Sequence, residues 1–463
     1  MIKQFFLGAL VVVLIAPTSF AEEPGMSPKV DLSEMTFWDC YKKVLPRYPA
    51  LKKKYEQLEQ AKADRGLAIA DLFPHIQGVF STTTTNDPVG VFGDLLRQQK
   101  FTENDFALES LNRPNARTNY HFGIEGEMLL FDSFNTISKI RSARRLVKSA
   151  DLEADFTEME AGIVVLESYL GILLAQEVLR IVTDIKAESD KDLQQAEDLN
   201  QKGMILGADF YAARVTAASI EQEYHRTHAL LKSSRMLMNI LMGEDPDLVW
   251  TVKGRLPESA QGQGELRAWI SQAYQQRKDL AALDQVLDAQ RIESLRQKTS
   301  FLPKFYGFGS LNEDANTWRS GGENFTVGFK GTMDFFDATY PGRTQATRHK
   351  YEELKADRQA LRDEIVKDLV LGLNRYETVT ADHPVLKQAM QDAQQASQLT
   401  AKLYQEGRKS IADLLEIRRS YLQTASGFQS LLLALELEHA KLLFLSGQLN
   451  EAGLRQVADR LKG

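Results

Sequence analysis

The chain has 463 residues, a length that ordinarily implies two or three domains, and a formal net charge of −7 from 56 Lys and Arg against 63 Asp and Glu. This mildly acidic balance contains no large basic block, which argues against a nucleic-acid partner. The single cysteine, Cys40, excludes an intrachain disulfide framework.

The amino terminus reads as a secretory signal peptide over residues 1–21. Lys3 is a small basic region, residues 5–16 are apolar, and Ser19-Phe20-Ala21 is a small-x-small cleavage site. The run stops at Pro17 and is too short to span a bilayer, so a retained anchor is the weaker alternative. Removing Lys3 takes the charge from −7 to −8. No later segment offers eighteen uninterrupted apolar residues. The best candidates, residues 162–175 and 431–445, contain Glu167, Glu436, Glu438 and Lys441, so no α-helical span is expected. An exported chain of this kind is soluble in the periplasm, secreted, or built into the outer membrane as a β-barrel. Cys40 follows Thr-Phe-Trp-Asp rather than an apolar lipobox, which makes it a small packing residue in a short helix.

Asp31 and Ser33 introduce that helix, which runs through Leu45, and Pro49 sits at the start of a second over residues 50–71. Leu72-Phe73-Pro74 stops it. A strand follows over residues 75–85, then a long polar connection to about Arg117, rich in turn residues. In the next strand, residues 120–130, Tyr120, Phe122, Ile124, Met128 and Leu130 alternate with His121, Glu125 and Glu127. That dyad suits a barrel wall between lipid and water, or a half-buried strand of a soluble sheet. Residues 138–200 form one helix of roughly 90 Å at 1.5 Å per residue, too long for a compact globule. Gly203 and Gly207 break it. A second helix over residues 208–241 carries Phe210, Ala217, Tyr224, Leu231 and Met238 every seven residues.

Residues 254–264 read as a linker, and then the order repeats. A helix over residues 280–300 ends at Phe301-Leu302-Pro303, a strand covers residues 304–311, a turn-rich loop covers 312–323, and a strand covers 324–336. In that last strand Phe325, Val327, Phe329, Met333 and Phe335 share one face. A second very long helix spans residues 343–405, bent locally at Pro384. After Gly407 a helix begins at Ser410, an N-cap with Asp413 at N3. Leu414, Tyr421, Phe428, Leu435 and Leu442 recur every seven residues along it.

The halves align. Residues 123–132 and 328–337 share Gly, Gly, Met, Phe and Asp at a shift of 205, and Ala208-Asp209 matches Ala412-Asp413 at a shift of 204. A period near two hundred is a duplicated domain-sized unit, not a solenoid. The boundaries expected are a first repeat at 22–253, the linker, a second repeat at 265–448 and a tail at 449–463. The fold class is mainly α with a β-barrel part, built from long antiparallel helical hairpins and four strands per chain. Four strands cannot close a membrane barrel, whereas three chains would pool twelve strands without a free edge and join their helices into a tube. A homotrimer is therefore expected.

The two Leu-Phe-Pro and Phe-Leu-Pro corners, the Phe131-Asp132 and Phe336-Asp337 corners, and Tyr404-Gln-Glu-Gly407 followed by Ile411-Ala-Asp413 occur in an order that resembles the TolC-type outer-membrane efflux factor family over nearly all of the mature chain. The resemblance implies a homotrimer with a twelve-stranded barrel among outer-membrane lipid and a helical tunnel across the periplasm of a Gram-negative bacterium. It implies an exit duct without cofactor or catalysis, working with a periplasmic adaptor (membrane fusion) protein and an inner-membrane pump. By the same resemblance Asp413 and Glu416 map to acidic rings at the pore constriction, which would favour cations. A solvated helix face would equally suit an Asp there. Tyr404 and Asp209 match a gating latch made by a hydrogen bond. Lys409 and Ala208 stand where the best-known member has arginine and threonine; lysine lacks the guanidinium fork and alanine the hydroxyl. Gly203, Met204, Gly407 and Arg408 map to the tip that adaptors contact, and helix termination alone would also require such breaks.

His225 and His228 lie three apart on a helix without a third metal ligand nearby, and the sequence has no HExxH, phosphate-cradling loop or nucleophile elbow. The competing reading is a periplasmic coiled-coil adaptor or scaffold without a pore, which would not need two pairs of amphipathic strands.

Overall fold

The computed structural model describes residues 34–262, 264–318 and 320–461. The signal peptide and the Asp31–Ser33 helix start fall outside them. The first helix, α1 (Phe37–Val44), instead begins at Thr36, which forms a capping box with Asp39 and follows a two-residue strand, β1 (Glu34–Met35). Helix α2 (Pro49–Ala70) starts on Pro49 as expected. Strand β2 (His75–Thr85) leads through α3 (Pro88–Arg97) and α4 (Leu108–Asn112) to strand β3 (Arg117–Phe131). The connection read as polar coil is therefore folded, because Asp87 caps α3 and apolar residues recur along it.

Helix α5 (Asn135–Gln201) has 67 residues, about 100 Å at 1.5 Å each, and returns through α6 (Gly207–Met242). Gly207 is the first residue of α6 rather than a break. A strand β4 (Thr251–Val252) pairs in parallel with β1. Helix α7 (Leu266–Gln276) then precedes the second copy: α8 (Lys278–Lys298), β5 (Lys304–Thr317), β6 (Ser320–Thr332), α9 (Tyr340–Gln405) and α10 (Ile411–Leu445), followed by α11 (Glu451–Arg460). The long helices match within one residue, 67 against 66 and 36 against 35.

Strands β5 and β6 form a longer hairpin than expected. The stretch read as a loop at 312–323 is mostly paired, and β6 ends at Thr332 because its partner runs out at Lys304. Met333 and Phe335 consequently lie beyond the strand, exposed.

Both seven-residue rows face the packing between helices; Leu414, Phe428, Leu435 and Leu442 are buried on α10, as are Phe210, Leu231 and Met238 on α6. The main core gathers where α1, α5, α7, α10 and α11 meet, around Leu166, Tyr169, Leu170, Trp250, Leu442 and Leu454. Among the described residues α5 alone is long and apolar enough to cross a membrane by composition. Its apolar stretch nevertheless holds Val165, Leu166, Leu170 and Ile172 fully buried in that core, which is the environment of a core helix. The linker and the tail are held, not free: the Gln261 N–H donates to the Tyr376 hydroxyl, Arg460 donates to the Ser259 carbonyl, and the tail folds as α11 with Leu454 and Val457 buried.

Candidate functional site

The β part is one antiparallel sheet in the order β2-β3-β5-β6. Successive side chains alternate faces, and the register brings like faces together: Ile76 opposite Gly126, Phe80 opposite Phe122, Ile124 opposite Leu311, Leu311 opposite Phe325. A register shift between Leu129 and Phe131 turns Phe131 onto the same face as Phe305. That face is apolar and open, with Phe325 77 %, Val327 81 % and Phe329 64 % exposed. A contiguous apolar surface of this kind calls for a lipid or protein cover. Aromatic rings cluster at both ends of it. Phe80, Tyr120, Phe122 and Trp318 meet at the end away from the helices, and Phe131, Phe305 and Phe329 at the near end. Phe122 and Phe131 are nine positions apart, about 30 Å along the strand and about 23 Å in height at a tilt near 40°, the depth of a lipid-facing band.

The opposite face is polar. Gln77 donates to Glu125 at 3.1 Å, and Lys330 stands over the Tyr306 ring within 3.9 Å of Glu127. These residues line an open trough of about 1150 Å³ that reaches the start of α5.

The far ends of the helices carry the expected site residues. Both turns there close by one device. The Gly203 N–H donates to the Asn200 carbonyl and Met204 to Leu199, each at 2.9 Å; Gly407 and Arg408 repeat this with Tyr404 and Leu403. Both glycines have φ of +69°, the left-handed conformation of a Schellman end, where a side chain is strained. Met204 and Arg408 project into solvent. Beneath them Phe210, Ala213, Ala217, Ile411, Leu414 and Leu415 form a small apolar core.

Asp413 completes a capping box with Ser410 at the start of α10. The Ser410 backbone N–H, then its hydroxyl and Lys409, hold the Asp413 carboxyl below the usual carboxylate range. Lys409 approaches it at 3.6 Å, and Arg419 takes Glu416 at 2.6 Å. Both carboxylates are exposed and share the first turns of α10, each with its own cation. Tyr404 is half-buried against the tip core. Among the described residues its hydroxyl has no hydrogen-bond partner, so the bond with Asp209 is not made here. Asp209 and Ala208 lie in the first turn of α6.

Sequence reasoning missed Arg418. It is buried on α10 and reaches α5, donating to Asp192 at 2.6 Å and pairing with Glu188. Burial depresses the Arg418 guanidinium and raises the Asp192 carboxyl, so each charge depends on the other. The signal was present: Arg418 interrupts the apolar row Leu414, Leu415, Leu422 at helical spacing.

The family model for outer membrane efflux proteins matches residues 40–243 and 269–448. No curated relative matches. Among solved structures the fold is similar to the Campylobacter jejuni CmeC outer membrane channel, at 14 % identity and TM-score 0.71 over 92 % of this chain and 89 % of that one. It is also similar to the Vibrio cholerae outer membrane protein VceC, at 16 % and 0.71 over 89 % and 96 %. The open state of the Neisseria gonorrhoeae MtrE outer membrane channel matches at 13 % and 0.70 over 90 % of each chain.

Proposed function

Because the chain belongs to the outer membrane efflux protein family, whose members are outer-membrane channels with a helical part in the periplasm, we propose that three copies form the exit duct of a tripartite efflux or type I secretion system. Each copy would lend four strands to a twelve-stranded barrel, with the apolar face toward lipid and the polar trough toward the lumen. The helical hairpins would form the periplasmic tunnel. It is a passive conduit: a periplasmic adaptor docks at the tips around Gly203, Met204, Gly407 and Arg408, and an inner-membrane pump supplies the energy. Asp413 and Glu416 form the constriction at the periplasmic end, and Tyr404, Asp209, Lys409 and Ala208 lie where hairpins must part for it to open.

The observation that carries this reading is the four-stranded sheet, apolar and exposed on one face and concave and polar on the other, with β2 and β6 as unpaired edges. A water-soluble scaffold would bury that apolar face. The test is the size of the detergent-extracted protein and its behaviour in planar bilayers. A particle of three chains that conducts ions is expected; a monomer, or a trimer that never conducts, refutes the duct.

A further inference from the structure

The segment between β2 and β3, residues 86–116, is a folded unit with its own small core. Phe101 meets Phe92 at 5.1 Å and Phe106 at 4.9 Å, edge to face, while Val91 and Leu95 are buried. It leaves the sheet at the end remote from the helices and turns back over the polar face, not the apolar one. The Gln98 side chain donates to the Asn119 side-chain oxygen Oδ1 at 2.8 Å, and Asn119 Nδ2 donates to the Asp314 carboxylate at 2.7 Å. Asp314 also takes His121 at 3.0 Å, and Lys100 reaches Asn316. Gln98, Asn119 and Asp314 are all buried. They lie on the trough side, since His121 and Asp314 are directly opposed in the register that places Ile124 against Leu311 on the other face. On β6, Asn324 donates to the Arg97 carbonyl at 3.2 Å, and a Cβ at Gly322 would collide with that same carbonyl. Buried amide and carboxylate groups joined this way hold a segment in one place, because parting them leaves polar groups without partners.

We infer that residues 86–116 are an inward-folded cap that narrows the outer mouth of the duct, pinned by Gln98, Asn119 and Asp314, and that it limits the size of solute passing at the cell-surface end. The inference rests on the barrel reading above. Three such caps around one axis would stand in the lumen above the trough, a second constriction in series with the one at the periplasmic end. A channel mouth lined with side chains and backbone filters by diameter before it filters by charge.

The test uses the full-length protein in cells and a cysteine deep in the trough, Gln77→Cys, with Ile76→Cys on the other face as its control. Cys40 is fully buried and contributes no background. A small maleimide added outside reacts with the Gln77→Cys protein, and a maleimide on a long polyethylene glycol does not. Replacing residues 88–114 with a short Gly-Ser turn raises the rate with the bulky reagent severalfold and leaves the small one unchanged. Gly322→Val displaces the cap without shortening the chain and gives a smaller rise in the same direction. Equal bulky-reagent rates in parent and both variants overturn the cap. If instead the Gln77→Cys and Ile76→Cys proteins react alike with the small reagent, Gln77 and Ile76 do not face water and lipid, and the barrel itself is wrong.

Discussion

At the scale of single residues the proposed gate is a matter of charge pairing. Asp413 and Glu416 each hold a cation close by in their own chain, Lys409 just before α10 and Arg419 on it, so three copies would present rings that are only partly negative. Asp413→Ala with Glu416→Ala should raise single-channel conductance and reduce cation preference, whereas Lys409→Gln with Arg419→Gln should increase cation preference. Unchanged selectivity in both double variants would remove these residues from the pore. Arg418 is a different case. Replacing it by Met leaves the half-buried Asp192 without its cation, a loss bounded above by the roughly 3–5 kcal/mol of a fully buried pair broken on one side. The α5–α10 contact near the tips should then loosen, read as faster amide exchange at residues 188–196; a protection pattern identical to the parent would make the pair ornamental. His439 supplies a pH dependence. Burial, with Arg460 adding, pushes its imidazole down to about 4, while the unfolded value is near 6.5. The folded form therefore binds the proton less well, and stability present above pH 6.5 falls as the pH drops toward 4, by up to about 3 kcal/mol. Glu436, raised by burial beside Arg460, works in the opposite direction. The difference between parent and His439→Phe isolates the imidazole. The acid fall in melting temperature should shrink in the variant, and parallel curves would show that His439 does not carry it.

At the scale of elements, the sheet makes a depth-dependent prediction. Val327 lies in the middle of β6 on the open apolar face and Thr326 on the other. Val327→Arg should cost about 2–4 kcal/mol where lipid is the neighbour, and Thr326→Arg close to nothing. The measurement is the yield of folded assembly in detergent or vesicles, and equal yields would mean that Val327 meets no lipid. Elements were legible where their causes are local. Pro49 opens α2, Ser410 and Asp413 cap α10, and the glycines at 203 and 407 end the long helices; each is a rule about a few neighbouring residues. The ends of β5 and β6 were not legible, because Asn312, Asp314 and Asn316 are turn formers individually and become strand only through the partner across the hairpin. Met333 and Phe335 continued an alternation that no partner strand supported. The cap was hidden for the same reason, since Asn119, which holds Gln98, meets Asp314 across 195 positions. Of the site, the tips and capping box followed from sequence. Arg418 did not, as its partners Glu188 and Asp192 belong to the other repeat.

At the scale of the whole molecule, the duplication determines how copies can join. Strands β2 and β5 run away from the helices and β3 and β6 toward them, so in the proposed ring β6 of one chain would meet β2 of the next antiparallel, and the alternation would continue round any closed ring. Closure alone permits two, three or four copies. Eight strands leave an interior that side chains fill, which would stop up a duct, while twelve leave a lumen. The trough on each sheet is an open concavity in which Gln77, Glu125, Glu127 and Lys330 stand beside Leu129 and Phe308, and a concavity left open fits the wider ring. Cysteines placed on the two edges, Gln77 or Ser81 on β2 with Thr326 or Lys330 on β6, should therefore cross-link under mild oxidation into a ladder that stops at three chains. Cys40 does not interfere, since burial pushes its thiol up to about 12. A ladder that stopped at two or ran to four would fix a different ring. Cross-links confined within one chain would show that β2 and β6 close on each other and that no shared barrel exists.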